Sequence, residues 1–307
     1  MADATVTSAT GTAVLSVDGL SVSYPAGGGR RTVVDDVGFE LRRGEMLGLV
    51  GESGSGKSTT AMSVLGLIKP PGRVDSGSVL LDGVDLRALG GEQLRRRRWS
   101  EISLVPQGAM SALNPVMRVG AQIADVIEVH ERRRASGRRI DELLASVGLP
   151  VRTARLYPHE LSGGMKQRVC IAMAIALNPK VMVADEPTSA LDVIVQKAVA
   201  ETLKDVQQRL GMAVVIIGHD MALQAQLADR VGVMCRGRLV EIGPVRSIFR
   251  SPAHPYTRLL LQAVPSLRQR EWYPAAATQA LRDEALALVA ARHPLAEVGP
   301  DHKAAMP

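Results

Sequence analysis

Apolar residues alternate with polar ones near the start of the chain: Leu15, Val17, Leu20, Val22 and Tyr24, with a break at Asp18-Gly19. That is the pattern of a strand with one wet face. After a glycine-rich loop at 25–31, Val37, Phe39 and Leu41 alternate again before the turn Arg43-Gly44-Glu45. Residues 78–81, the turn Asp82-Gly83 and Val84 predict a hairpin on the same small antiparallel sheet. Other strands read differently. Met46–Val50, Ile102–Val105, 181–184, 214–217 and 231–234 are unbroken apolar runs, expected where both faces of a sheet are covered. Helical spacing fills the gaps between them. Residues 60–67 predict a helix after the first run, and 86–99 a short basic helix before the second. A further helix at 165–177 stops at Asn178-Pro179, and one over Val193–Leu210 stops at Gly211. The stretch 107–160 breaks the alternation. There Ile123, Val126 and Ile127, then Ile140, Leu143, Leu144 and Val147, recur at helical spacing without strands, closed by Gly148 and Pro150. The pattern predicts an α/β fold with a mostly parallel sheet, a small antiparallel β subdomain and an inserted helical subdomain at about 107–162.

The first buried run leads into Gly51-Glu52-Ser53-Gly54-Ser55-Gly56-Lys57-Ser58-Thr59, which fits the pattern G-x-x-x-x-G-K-[ST] in its required strand–loop–helix setting. Gly51, Gly54 and Gly56 let backbone N–H groups turn towards phosphate oxygens, and the following helix presents its positive end to the same anion. With Ser53, Lys57, Ser58 and Thr59 they form the candidate phosphate site of a P-loop NTPase core. Lys57 is expected to neutralise the β- and γ-phosphates, and the Ser58 hydroxyl to ligate Mg²⁺. The run at 181–184 ends in Asp185 and Glu186. Asp185 is placed to hold Mg²⁺, and Glu186 to orient or deprotonate the attacking water. His219 follows the strand at 214–217 and is expected at the same sheet edge, where ligands of such folds bind. Gln107, after Ile102–Val105, can reach Mg²⁺ or the water. Ser162, Gly163 and Gly164 open a second helix and offer a second anion-binding N-terminus. One triphosphate needs one cradle, so the second makes sense over a nucleotide held by another subunit.

Composition narrows the partners. The chain has 307 residues, 46% of them hydrophobic, enough for one large α/β domain with appendages. Aromatic residues are only 3%, which argues against single-strand binding by base stacking. The formal charge is +6, with arginines clustered at 95–98, 132–134 and 138–139. Such clusters are most often solvated helix faces, with acidic lipid or nucleic acid as the less common reading. Cys170 and Cys235 are the only cysteines, both in apolar surroundings, so a reducing compartment is expected. Apolar runs are strand-sized and short of a membrane span. Residues 1–13 are expected to be a flexible tail.

These motifs, in this order, resemble the ATP-binding cassette (ABC) ATPases over 14–265. Residues 51–59 match the Walker A loop, 181–186 Walker B with its glutamate, and 161–167 the signature, with Met165 where many members have Gln. Gln107 matches the Q-loop, 189–192 the D-loop ending in Asp192, and His219 the switch histidine; Tyr24 stands where the family places an aromatic that stacks on adenine. The resemblance implies ATP and Mg²⁺ as ligands and a head-to-tail pair of subunits. In that pair the Walker A loop of one chain and Ser162, Gly163, Gly164 and Asp192 of the other enclose each ATP. It also implies a nucleotide-binding domain at 14–245 and a separate extension at 246–307.

The extension carries Ile248-Phe249-Arg250-Ser251-Pro252-Ala253-His254-Pro255-Tyr256-Thr257-Arg258, then Leu259-Leu260 and Ala263-Val264-Pro265. This resembles the C-terminal hallmark of the oligopeptide/dipeptide/nickel importer ATPases, as do 156–162 and 112–115. That subgroup implies a second, non-identical ATPase subunit, two membrane permeases, an external solute-binding protein and a place on the cytoplasmic face of the membrane. The expected solute is an oligopeptide or dipeptide, with nickel or another small solute as the alternative. No iron–sulfur cluster is expected, because no cysteine follows Cys235. A soluble ABC ATPase acting on nucleic acid or ribosomes is the other reading; such proteins commonly carry two cassettes or a long coiled-coil insertion. Residues 278–292 predict an Ala/Leu-rich helix, and 293–307 carry no prediction.

Overall fold

A computed structural model describes residues 12–263 and 275–307. Residues 1–11 of the expected tail, and Val264-Pro265 of the hallmark, lie outside that range. The amino-terminal strands are long: β1 (Ala13–Ala26) pairs with β2 (Gly29–Arg42) and with β4 (Arg73–Leu81), which pairs with β5 (Val84–Asp85). Asp82 and Gly83, at φ 47° and 79°, make the tight β4–β5 turn, which needs left-handed backbone at both positions. The resulting sheet has the order β2-β1-β4-β5 and is antiparallel throughout.

The second sheet holds the five buried runs. Its parallel part consists of β3 (Met46–Val50), β6 (Ile102–Val105), β7 (Val181–Asp185), β8 (Ala213–Ile217) and β9 (Arg230–Cys235), in the order β9-β3-β8-β7-β6. Side-chain alternation sends the two faces into different cores. Met182, Ala184, Val214 and Ile216 pack against α4 (Val119–Glu131), α5 (Gly137–Ser146), α6 (Gly163–Ala174) and α7 (Val193–Leu210). Val181, Val183, Val215 and Ile217 face the other way, towards the small sheet and α1 (Lys57–Val64). The helices α3 (Ala109–Ala112), α4 and α5 fall between β6 and β7, as the strand-free pattern implies. Among the described residues no helix is long and apolar enough to cross a membrane.

One expectation is corrected. The basic helix at 86–99 is broken into a 3-10 turn at Leu86–Ala88 and α2 (Gly91–Arg97). Asp85 caps the turn by accepting from the Arg87 N–H, and Gly90 is extended, so Gly90-Gly91 punctuates what the charge pattern joins. The arginines there are engaged locally: Arg95 and Arg96 pair with Glu92, and Arg97 with Glu101, while Arg138 pairs with Glu142 and Arg139 with Glu131. The segment 293–307, which carries no prediction, is also structured. After α8 (Met221–Leu227), β10 (Arg238–Pro244), α9 (Val245–Arg250), α10 (Pro255–Gln262) and α11 (Ala275–Ala291), the chain forms a hairpin of β11 (Leu295–Gly299) and β12 (His302–Ala305). β12 pairs antiparallel with β10, so the main sheet reads β11-β12-β10-β9-β3-β8-β7-β6. The turn signal Gly299-Pro300-Asp301 was present, but Ala-rich flanks hid the strands.

The extension packs onto the main sheet, where Tyr256, Leu259, Ala285 and Val289 join Val231, Val233 and Ile248 in one core. His254 caps α10, its Nδ1 accepting the Tyr256 N–H at 3.1 Å. Burial drives the His254 imidazole down to about 4 from its ordinary 6.5, with Glu241 opposing the shift and Arg258 adding to it. The unfolded chain therefore takes up a proton near pH 6.5 that the folded chain refuses until about pH 4. Stability present above pH 6.5 is lost as the pH falls through that window, by about 3 kcal/mol at most from this group. His254→Asn keeps a capping acceptor and removes the titration. Its urea midpoint should fall less between pH 7 and pH 5 than that of the unaltered protein.

Candidate nucleotide site

Four neighbouring strands end at one edge, and the candidate residues follow those ends. The loop at 51–59 follows β3, Gln107 follows β6, Glu186 follows β7 and His219 follows β8. The loop is shaped by close approach. A Cβ on Gly51 (φ 148°) would strike the Met234 carbonyl, and one on Gly56 (φ 101°) would lie 2.8 Å from the Val33 carbonyl oxygen. Gly54 (φ 79°) faces open space, so its glycine serves conformation alone. Helix α1 starts at Lys57 with no side-chain cap and no acidic residue in its first turn. Its N-terminal N–H groups and the positive end of its dipole are thus left for an anion.

Lys57 is folded into the loop. Its Nζ donates to the carbonyl oxygens of Gly51 (2.8 Å) and Glu52 (2.9 Å) and to Ser55 Oγ (3.2 Å). Burial lowers its pKa, while Glu186, Asp185 and Glu52 work against that shift. The Ser58 hydroxyl donates to Asp185 Oδ1 at 3.1 Å, joining residues 127 positions apart. Asp185 is buried, which raises its pKa; Glu186 adds to the rise, and Ser58 and Lys57 reduce it. A buried carboxylate beside a hydroxyl is a donor set that a divalent cation would complete. Among the described residues no group of three or more His, Cys, Asp or Glu could hold a metal alone. Mg²⁺ takes one or two protein oxygens and shares the rest with phosphates and water, a need that Ser58 and Asp185 fit.

Glu186 is the junction of the site. Its Oε2 accepts from Gln107 Nε2 at 3.0 Å, and its Oε1 lies 3.4 Å from His219 Nδ1. Its backbone is left-handed (φ 45°), and its N–H donates to the Ile217 carbonyl at 3.0 Å. Such a conformation persists in a non-glycine residue only where its surroundings enforce it. Ser189 reinforces it, with both its N–H and its Oγ directed at the Glu186 carbonyl. Gln107 thus reaches Glu186 here, rather than the Ser58–Asp185 pair.

The other candidates stand apart. Asp192 caps α7, its Oδ1 accepting from the N–H groups of Ile194 and Val195. Ser162 caps α6 by accepting from the Met165 N–H at 3.3 Å. Gly164 has a packing reason as well, since a Cβ there would lie 2.5 Å from Val195 Cγ1 on α7. Among the described residues no hydrogen bond joins 162–164 to 51–59. The Tyr24 ring lies over Gly72, whose Cβ would fall 2.6 Å from Tyr24 Cε1, with Ile68 beside it. Two further cations stand beside the loop outside any sequence motif. Arg31 and Arg236 line a cavity of about 540 Å³ with Thr32, Val33 and Gly54. Neither stands in a recognisable motif; the turn Cys235-Arg236-Gly237 was the one available signal.

Comparison with known proteins agrees with this geometry. Residues 34–189 match the family described as ABC transporter, and 240–286 match the oligopeptide/dipeptide transporter C-terminal region. The chain is 45% identical over 261 residues to the oligopeptide transport ATP-binding protein OppD of Bacillus subtilis (strain 168), covering 83% of this chain and 73% of that one. It is 44% identical over 261 residues to the dipeptide transport ATP-binding protein DppD of Escherichia coli (strain K12), covering 84% and 80%. Among solved structures, the dimeric structure of MJ0796, a bacterial ABC transporter cassette, superposes with a TM-score of 0.67 at 29% identity, over 76% of this chain and 99% of that one. The same cassette in a post-hydrolysis dimer with ADP and Pi also has a TM-score of 0.67. A nucleotide-competent sheet edge, the family match over its loop and helices, and these relatives converge: the chain belongs to the ABC transporter family, as an ATP-hydrolysing subunit with the oligopeptide/dipeptide type of C-terminal region.

Proposed function

We propose that this chain powers an ABC importer of oligopeptides, dipeptides or a related small solute, with ATP bound between it and a second ATPase subunit. The observation that carries the ATPase reading is the hydrogen-bonded cluster Gln107–Glu186–His219 beside Ser58–Asp185. The match at 240–286 and the relatives OppD and DppD support the importer reading. On binding, Lys57 leaves the Gly51 and Glu52 carbonyls for the β- and γ-phosphates, while the loop N–H groups and α1 hold the remaining oxygens. Ser58 and Asp185 would hold Mg²⁺, which would supply neutralisation of phosphate charge. Glu186 orients the attacking water and takes its proton as the water oxygen bonds to the γ-phosphorus. The bond from that phosphorus to the β–γ bridging oxygen breaks, and ADP leaves with that electron pair. Gln107 and His219 keep the Glu186 carboxylate pointed at the water.

Tyr24 stacks on the adenine, and Ser162, Gly163, Gly164 and Asp192 act across the subunit boundary on the partner's nucleotide. The partner is a related but non-identical ATPase, with two permeases and an external binding protein completing the machine. The chain is peripheral, on the cytoplasmic face. Local pairing of the arginine clusters with Glu92, Glu101, Glu131 and Glu142 supports this over a nucleic-acid role. The test is isolation of the tagged chain from membranes, followed by transport in vesicles. Recovery with two integral membrane proteins and ATP-dependent accumulation of a labelled di- or tripeptide is expected. Recovery with ribosomes or DNA and no membrane protein would sink the importer reading.

A further inference from the structure

The phosphate loop is held from behind by the carboxyl-terminal extension. The Tyr256 hydroxyl accepts the Glu52 N–H at 3.0 Å, across 204 residues of chain. The same peptide unit presents the Gly51 carbonyl, which accepts from Lys57 Nζ at 2.8 Å. A planar trans peptide carries its C=O and N–H on opposite sides, so the 51–52 unit is gripped at both ends. When Lys57 turns to a phosphate it releases its end, and the Tyr256 end remains. Tyr256 is buried, and burial raises its pKa, so the hydroxyl stays protonated.

Tyr256 is in turn fixed from the tail. Its N–H donates to His254 Nδ1. The N–H groups of Ala253 and His254 donate to Glu241 Oε1 (2.8 Å) and Oε2 (3.0 Å), and His302 Nε2 donates to Glu241 Oε1 at 2.7 Å. Glu241 is 0% exposed and His302 5%. A buried carboxylate is tolerable only with such donors around it. Gly243 makes room for the imidazole, since a Cβ there would lie 2.7 Å from His302 Cδ2. β12 brings His302 into place by pairing with β10, and Asp301 anchors the turn through a two-point contact with Arg42 at 2.8 and 2.9 Å.

We propose that Tyr256 is a positioning residue for ATP, holding the 51–52 peptide of the phosphate loop, and that the β11–β12 hairpin sets its place through His302 and Glu241. This rests on the reading of 51–59 as the ATP phosphate site.

The test uses the full chain, with Mg-ATP titration and melting temperature as readouts. Tyr256→Phe removes one hydroxyl and keeps the ring. It should weaken ATP affinity about three- to tenfold, the loss of one hydrogen bond, and shrink the ATP-induced rise in Tm, leaving the nucleotide-free Tm unchanged. His302→Ala should weaken ATP affinity in the same direction, and His302→Gln, which keeps a donor for Glu241, should restore it. The double variant Tyr256→Phe/His302→Ala should be no weaker than Tyr256→Phe alone, since both act on one contact. Wild-type affinity in Tyr256→Phe, a loss matched by an equal fall in nucleotide-free Tm, or full additivity in the double variant would each overturn the proposal. Lys57→Ala separates the two levels. If it leaves ATP affinity unchanged, the phosphate-site reading fails; if it weakens ATP and Tyr256→Phe does not, only the positioning role fails.

Discussion

Replacing Glu186 with glutamine should leave ATP binding intact and slow hydrolysis by about 10²–10⁴-fold, the usual contribution of a positioned general base. The substitution is close to isosteric. The side-chain oxygen can still accept from Gln107 Nε2, now 3.0 Å away, and the new amide can donate to His219 Nδ1, now at 3.4 Å. The loop around Ser189 and the left-handed backbone at Glu186 have no reason to move. What disappears is a group able to take a proton. Binding should not suffer, because a negative charge beside Asp185 and the triphosphate is removed at the same time. Phosphate release and nucleotide binding measured on the same preparation separate the effects, and gel filtration with ATP checks for the proposed two-subunit closed state. Turnover at the unaltered rate would remove Glu186 from the proton's path.

Lys57→Ala should reduce ATP affinity by about 10- to 100-fold, the range expected for one charge-assisted hydrogen bond of 1.5–3 kcal/mol. Lys57 also acts before ATP arrives. Its ammonium ties the carbonyls of Gly51 and Glu52 and the Ser55 hydroxyl together. Its removal therefore loosens the loop as well as depriving the phosphates of a cation. Burial lowers the Lys57 pKa, so ATP affinity of the unaltered chain should decline on the alkaline side sooner than an exposed lysine would allow. Isothermal titration with ATP and ADP checks both points. Normal affinity in the variant would contradict the placement of Lys57 at the phosphates.

The parts of this architecture that were legible in the sequence are those written in local spacing. The unbroken apolar run Val181, Met182, Val183 and Ala184 predicts a strand covered on both faces, and the two cores receive those residues in turn. The Ser58–Asp185 contact spans 127 positions, yet it was readable because each end sits in a motif whose strand order is constrained. Contacts of equal reach whose two ends no motif relates to each other were invisible. Tyr256 lies 204 positions from Glu52, and nothing near either residue announces the other. The imidazole of His302 in a buried pair with Glu241 was hidden in the same way, since a lone His and a lone Glu in different segments look like surface residues. The basic stretch at 86–99 failed for a different reason. Its charge pattern is helical, but Gly90-Gly91 and the Asp85 cap divide it.

The hairpin at the carboxyl terminus also settles what the main sheet shows to other chains. β10 carries Leu239, Val240 and Ile242, all buried, and its outer backbone is paired at Glu241 and Ile242 with Ala304 and Lys303 of β12. Left bare, that row of N–H and C=O groups beside apolar side chains would be a template for intermolecular strand addition. With the hairpin in place the boundary falls instead on β11, a strand of five residues with Ala296, Glu297 and Val298 exposed and a glycine at its end. A short edge with a charge at its middle is a poor template. The β11–β12 hairpin thus disfavours edge-to-edge growth of this sheet onto further copies.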